Sequence, residues 1–169
     1  NKKKTKEKKI IFLDGNYKHP DILQRENYNI ENLKEKYFEK LKIFFFKITK
    51  LYNKELEICL HPSSDENEYK FFLNEFKISK YQTSEKINDA SIVIFHETSS
   101  IMDAIMAKKK IISLKTKILG NYIYERINFY IDQLKLANIN LDDDEIVLNQ
   151  ANLKNNLSNA SNNYDFYIK

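Results

Sequence analysis

Ser91-Ile92-Val93-Ile94-Phe95-His96-Glu97-Thr98-Ser99-Ser100-Ile101 is the stretch on which the reading of this chain turns. Its first five residues form a short apolar run rich in β-branched side chains, which predicts a buried strand. The polar cluster from His96 to Ser100 closes that strand, and a helix is expected from about 101 to 107. A strand that hands over to a helix through a polar loop is the building unit of a parallel sheet.

The same unit recurs on both sides. Lys9-Ile10-Ile11-Phe12-Leu13 reads as a buried strand ending at Asp14-Gly15. A polar loop from Asn16 to about Asn27, containing His19-Pro20-Asp21, leads to the clearest helix of the chain. There Leu33, Tyr37, Leu41, Phe44, Phe45, Ile48, Leu51 and Tyr52 fall on one face, with Asn29 available as a cap. Residues 55–60 form a second strand stopped by His61-Pro62-Ser63-Ser64. A shorter helix over 66–75, an extended piece near 76–78 and a helical turn capped by Thr83 or Ser84 complete the middle. Beyond the central unit come a strand over 110–114 and an amphipathic helix over 122–136. The alternation predicts an α/β fold: a Rossmann-like doubly wound layer with a mainly parallel sheet. Residues 1–8 read as a lysine-rich linker, 9–148 as the domain, and 149–169 as an Asn-rich tail of weak helix fading into disorder.

Composition narrows the class. With 169 residues, 42% hydrophobic and 31% charged, the chain suits one globular domain. Its apolar runs fall far short of the roughly twenty residues of a membrane span. The single cysteine, Cys59, lies between Ile58 and Leu60 and reads as a buried, inert thiol in a reducing cytoplasm. One Cys and three scattered His do not make a zinc site, and no metal or cofactor is expected. The net charge is +4, but six lysines lie in the first nine residues, so the remainder is near neutral and a nucleic-acid footprint is not supported. The lysine-rich opening is a solvated segment, or a contact with an anionic membrane surface. A chain that opens at Asn1 with lysines, and without a secretory signal, is expected to be a piece of a longer protein.

Three strand ends carry unusual polar clusters, and in a parallel sheet they converge on the edge where ligands bind. Thr98, Ser99 and Ser100 precede a helix, where free backbone N–H groups and the helix dipole favour an anion. Ser100 could equally cap that helix, with Asp103 completing a capping box. His61 can donate to a phosphate or assist a leaving phosphate; hydrogen bonds within its own loop are the plainer alternative. Gly15 allows close approach of a ligand or simply makes a tight turn. Asp14 can bind a sugar hydroxyl or serve as a base, and is as readily a turn residue. His96 and Glu97 complete the candidate set. Neither GxGxxG nor GxxxxGK[ST] occurs, which speaks against NAD and ATP enzymes.

The succession Leu13-Asp14-Gly15, Tyr/Phe-rich helix, His61-Pro62-Ser63-Ser64 and His96-Glu97-Thr98-Ser99-Ser100 resembles the nucleotide-binding C-terminal half of GT-B glycosyltransferases. It is most similar to the bacterial sialyltransferase-like and capsular-polysaccharide proteins. Their HP motif matches His61-Pro62 and their paired serines match Ser99-Ser100. The approach 88–95 and the continuation 104–114 share the likeness, which covers about residues 9 to 140. Leu13-Asp14-Gly15 only partly echoes the sialyltransferase acidic motif, which lies in the other domain, so Asp14 is not assigned as the base.

That resemblance implies a donor-nucleotide-binding domain, with an acceptor-binding domain outside this chain. The implied donor is a nucleotide-activated sugar, a CMP-sugar before others, and the implied acceptor a glycan. The implied setting is bacterial capsular-polysaccharide or lipooligosaccharide synthesis in the cytoplasm, at the inner face of the membrane. His61 would assist catalysis, while Gly15, His61, Pro62, Thr98, Ser99 and Ser100 would bind the nucleotide and its phosphate. Two other functions remain open: a GT-B-like sugar-nucleotide epimerase, and a non-catalytic domain that binds a phosphorylated ligand or a protein.

Overall fold

The computed structural model describes residues 9–25 and 30–158. Strand β1 is Lys9–Leu13; helix α1, Pro20–Arg25, and helix α2, Ile30–Tyr52, lead to β2, Leu56–Leu60. A 3-10 helix, Glu66–Phe72, and β3, Lys77–Lys80, precede α3, Thr83–Asp89, and β4, Ala90–Phe95. Then come α4, Ile101–Met106; β5, Lys110–Lys115; α5, Asn121–Leu134; and β6, Ala137–Asn140. Helices α6, Asp144–Leu148, and α7, Gln150–Ser158, close the described chain.

The six strands form one sheet in the order β3-β2-β1-β4-β5-β6, and every neighbouring pair is parallel. This is the Rossmann-like order, with its topological switch between β1 and β4. The expected parallel arrangement of the four central segments is therefore present. The four central strands are short and almost wholly buried, as parallel strands covered on both faces must be, while the edge strands β3 and β6 are partly open.

Alternate strand residues feed two cores. Ile10, Phe12, Ile58, Ile94 and Ile112 face the one that receives Phe38, Leu41, Phe44 and Phe45 of α2. Ile11, Leu13, Val93, Phe95 and Ile111 face the other, closed by Ile87 of α3 and by Ile101, Ala104 and Ile105 of α4. The first core is strongly aromatic: Phe12 and Phe45 rings lie 5.0 Å apart, as do Phe38 and Phe72. Each buried Phe stabilises the fold by about 1.5–3 kcal/mol through removal of its ring from water.

Several local expectations are corrected. The loop after Asn16 contains α1, because Pro20 is tolerated at a first helical position where no N–H is needed. The helix expected over 66–75 is a 3-10 helix, opened by Asp65, which accepts a hydrogen bond from the Asn67 N–H at 2.9 Å. Neither Thr83 nor Ser84 caps α3; Gln82 holds the cap position without a side-chain bond. Asp142, which with Asp143 and Asp144 reads in the sequence as a solvated acidic loop, accepts from the Thr116 hydroxyl at 2.6 Å and the Lys117 N–H at 2.7 Å. The Asn-rich segment forms α7, whose Leu153 and Leu157 are buried in the aromatic core. Asn29, the lysine-rich 1–8 and residues 159–169 lie outside the described residues. Among the described residues, no helix is long and apolar enough to cross a membrane. Cys59 is free and buried, and burial pushes its thiol up to about 11, which keeps it protonated and inert.

Candidate functional site: a cleft at the strand switch

The loops that follow β1, β2 and β4 meet above the carboxyl edge of the sheet, and α5 closes the far side. Between them is a cleft of about 230 Å³. Gly15, His61, Glu97, Thr98 and Ser99 line it, as do His19, Ile22, Tyr122, Arg126 and Tyr130. A wider depression of about 1140 Å³ lies at the opposite edge, beside Lys9, Lys54 and Lys77. It is an open groove away from the carboxyl ends of the strands, where ligands of such sheets bind.

The loop after β1 is held from below by Asp14. Its carboxylate is buried and accepts from the Asn16 N–H (3.1 Å), the His61 N–H (3.1 Å), the Ser64 hydroxyl (2.5 Å) and the Tyr69 hydroxyl (2.6 Å). Four donors from three segments converge on one carboxylate, so Asp14 ties the first two loops together. It does not line the cleft.

Gly15 is required by packing. A Cβ added at that position would overlap the backbone carbonyl oxygen of Glu97. The missing side chain therefore lets the loops after β1 and β4 touch, and these are the two strands of the topological switch.

His61 is fixed by its own loop. The Ser63 N–H donates to its Nδ1 at 3.1 Å, with the Ser63 hydroxyl at 2.7 Å from the same nitrogen. Nδ1 is thus an acceptor, and a neutral His61 carries its proton on Nε2. The Asn16 side-chain amide supports Ser63 at 2.8 Å. The His19 ring meets the His61 ring edge to face at 6.1 Å.

On the opposite wall, an Arg126 Nη2 lies 2.6 Å from Glu97 Oε1, and Nη1 donates to the Tyr122 hydroxyl at 2.9 Å. Burial opposes the charge on Arg126. The Tyr122 hydrogen bond and the Glu97 carboxylate nevertheless raise its pKa above the usual value. Arg25 packs over the other side of this region, 4.6 Å from the centre of the Tyr122 ring.

Not every candidate reaches the cleft. Pro62 is exposed and Ser100 is half buried, and neither lines it. Ser100 does not cap α4 through its side chain; instead its N–H donates to the Thr98 hydroxyl at 3.3 Å. The expected capping box with Asp103 is therefore absent, and Asp103 accepts from Ser84 at 3.0 Å. His96 is wholly buried behind the cleft, packed between Phe12 and Tyr37. Burial drives its pKa down to about 4, against weaker opposing pulls from the Leu114 backbone and Asp142, so it is neutral at pH 7.

Sequence reasoning missed His19, Arg126, Tyr122 and Tyr130. One signal was present: Arg25 and Arg126 are the only arginines among the 28 basic residues. In a lysine-rich chain, a planar guanidinium marks a place where a fork of donors is wanted.

No family model matches the chain and no curated protein matches it. Among solved structures it is similar to the spinosyn rhamnosyltransferase SpnG complexed with spinosyn aglycone, with a TM-score of 0.49 and 14% identity. The match covers 89% of this chain and 36% of that one, so this chain spans about a third of that enzyme's length.

Proposed function

We propose that this chain is the donor-binding domain of a bacterial glycosyltransferase and binds a nucleotide-activated sugar through its phosphate. The observation that supports this most directly is the meeting of His61 with Thr98 and Ser99, from separate strand ends, around one cleft that Arg126 also faces. Nε2–H of His61, two hydroxyls and a guanidinium are donors suited to a phosphate. At about 230 Å³ the cleft is smaller than the roughly 300–1,000 Å³ of an ordinary ligand pocket. It would hold the phosphate and the adjoining sugar, leaving the rest of the ligand on the open surface. The likeness of His61-Pro62 and Ser99-Ser100 to the sialyltransferase-like motifs favours a CMP-sugar, with His61 assisting the departing phosphate. Surface-polysaccharide or lipooligosaccharide synthesis in the cytoplasm, at the inner face of the membrane, is the setting that goes with it.

A second reading has its own observation. Glu97 supplies the only carboxylate among the cleft-lining residues, and it is paired with Arg126, while Asp14 is consumed by four donors. A domain that binds a phosphorylated ligand without catalysis needs no base, whereas an epimerase needs more carboxylates than this cleft offers.

Calorimetric titration of CMP, UDP and GDP into the wild type, His61→Ala and Thr98→Ala/Ser99→Ala tests the proposal. One nucleotide should bind, and each variant should weaken it by about 1.5–3 kcal/mol, the worth of a hydrogen bond to a charged group. Unchanged affinity in both variants would place the nucleotide elsewhere. Binding of none of the three would leave the non-catalytic protein-binding reading.

A further inference from the structure

Arg126 and Glu97 belong to different elements, the middle of α5 and the loop after β4, and their charged groups meet across the cleft wall at 2.6 Å. The arginine side chain is 40% exposed and the glutamate side chain 17%. Thr98 and Ser99 follow Glu97 directly and line the same cleft. An anion held by those hydroxyls would thus lie close to the Glu97 carboxylate, and the two negative charges would compete for one guanidinium.

We propose that Glu97 and Arg126 form an exchangeable latch: Glu97 occupies the guanidinium in the empty cleft, and a phosphate dianion displaces it on binding. The inference rests on reading the cleft as a phosphate site. Three features favour exchange over a permanent bridge. First, the backbone of Glu97 is immobilised, because its carbonyl oxygen fills the space that Gly15 leaves, so only the side chain needs to turn. Second, Arg126 is held independently of Glu97 through its Nη1 bond to Tyr122, and so stays in place when the carboxylate leaves. Third, a guanidinium offers five N–H donors in a planar fork, which a phosphate with several oxygens engages bidentately. A dianion also gains more from that cation than a single carboxylate does. The latch would make the cleft favour a dianionic phosphate, such as that of CMP released after transfer, over the singly charged phosphodiester of a CMP-sugar, and would spare the protein an unpaired cation while empty.

The test is a double-mutant cycle on the full chain, with inorganic pyrophosphate and CMP as titrants. Glu97→Gln should bind both about tenfold more tightly, because the competing charge is gone. Arg126→Gln should bind at least about tenfold more weakly, and Glu97→Gln/Arg126→Gln should match Arg126→Gln. Loss of the Glu97→Gln gain in the Arg126→Gln background is what an exchange requires. A gain that persists there would show simple through-space repulsion and overturn the latch, as would the absence of any gain. Should Arg126→Gln fail to fold, Arg126→Met keeps the apolar stem without the charge and should lose the gain in the same way.

The outcomes also separate this inference from the nucleotide reading. Pyrophosphate binding that follows the cycle, with no nucleotide bound, keeps the latch and removes the nucleotide. CMP binding indifferent to both residues keeps the nucleotide and removes the latch. Failure of Glu97→Gln to bind either titrant overturns the latch as well as the phosphate site.

Discussion

The carbonyl oxygen of Glu97 stands where a side chain on Gly15 would begin. That contact joins the loops of β1 and β4, and the cleft lies over the join. The cause is steric and not conformational, because Gly15 is not among the residues with positive φ.

Gly15→Ala should therefore destabilise the protein by about 2–3 kcal/mol, since the methyl group meets backbone that cannot step aside as a side chain would. The two loops must part, so anion binding in the cleft should weaken at the same time. Urea unfolding measures the first effect, and titration under native conditions the second. A fully stable variant would show that the loops yield freely.

Asp14→Ala should cost at least about 3 kcal/mol, because the Tyr69 and Ser64 hydroxyls and two backbone N–H groups lose their acceptor in a buried site. Asp14→Asn keeps an acceptor oxygen and should recover part of the loss. If Asp14 were instead a catalytic base, Asp14→Ala would remain as stable as the wild type. Chemical denaturation of the three proteins decides between the two roles.

His96 makes stability depend on pH in a stated direction. In the folded protein its pKa is depressed to about 4, while an unfolded histidine titrates near 6.5. The unfolded state thus binds a proton first as pH falls, and stability drops between about pH 6.5 and 4. The slope approaches about 1.4 kcal/mol per pH unit, so moving from pH 7 to pH 5 should cost about 2 kcal/mol from this residue alone. His96→Leu should lose that component. Parallel denaturation of wild type and variant at both values isolates it from the carboxylates, and equal pH dependence would refute it.

Five of the six strands were legible because short β-branched runs closed by polar residues leave few alternatives, whereas β6, Ala137–Asn140, carries too few apolar residues to announce itself. Ile10 to Leu13 and Ile92 to Phe95 can be little else. Helix α7 was legible only as a weak helix: Leu153 and Leu157 are two apolar residues among asparagines, and only contact with the core shows that their spacing buries them. Helix α1 was hidden for a related reason, since a six-residue helix starting at proline leaves almost no periodic signal.

The sequence by itself determined a parallel α/β sheet and the polar clusters at its strand ends, because both follow from residue type over a few neighbours. Tertiary structure alone decided which of those polar groups are available. Asp14 is spent on four donors, His96 is sealed against Phe12 and Tyr37, and Arg126 arrives from a helix 29 positions beyond Glu97 to meet its carboxylate. Distances between segments far apart in the chain are set by how the two cores pack on the sheet. Burial and charge pairing, which govern what a polar side chain can do, depend on those distances.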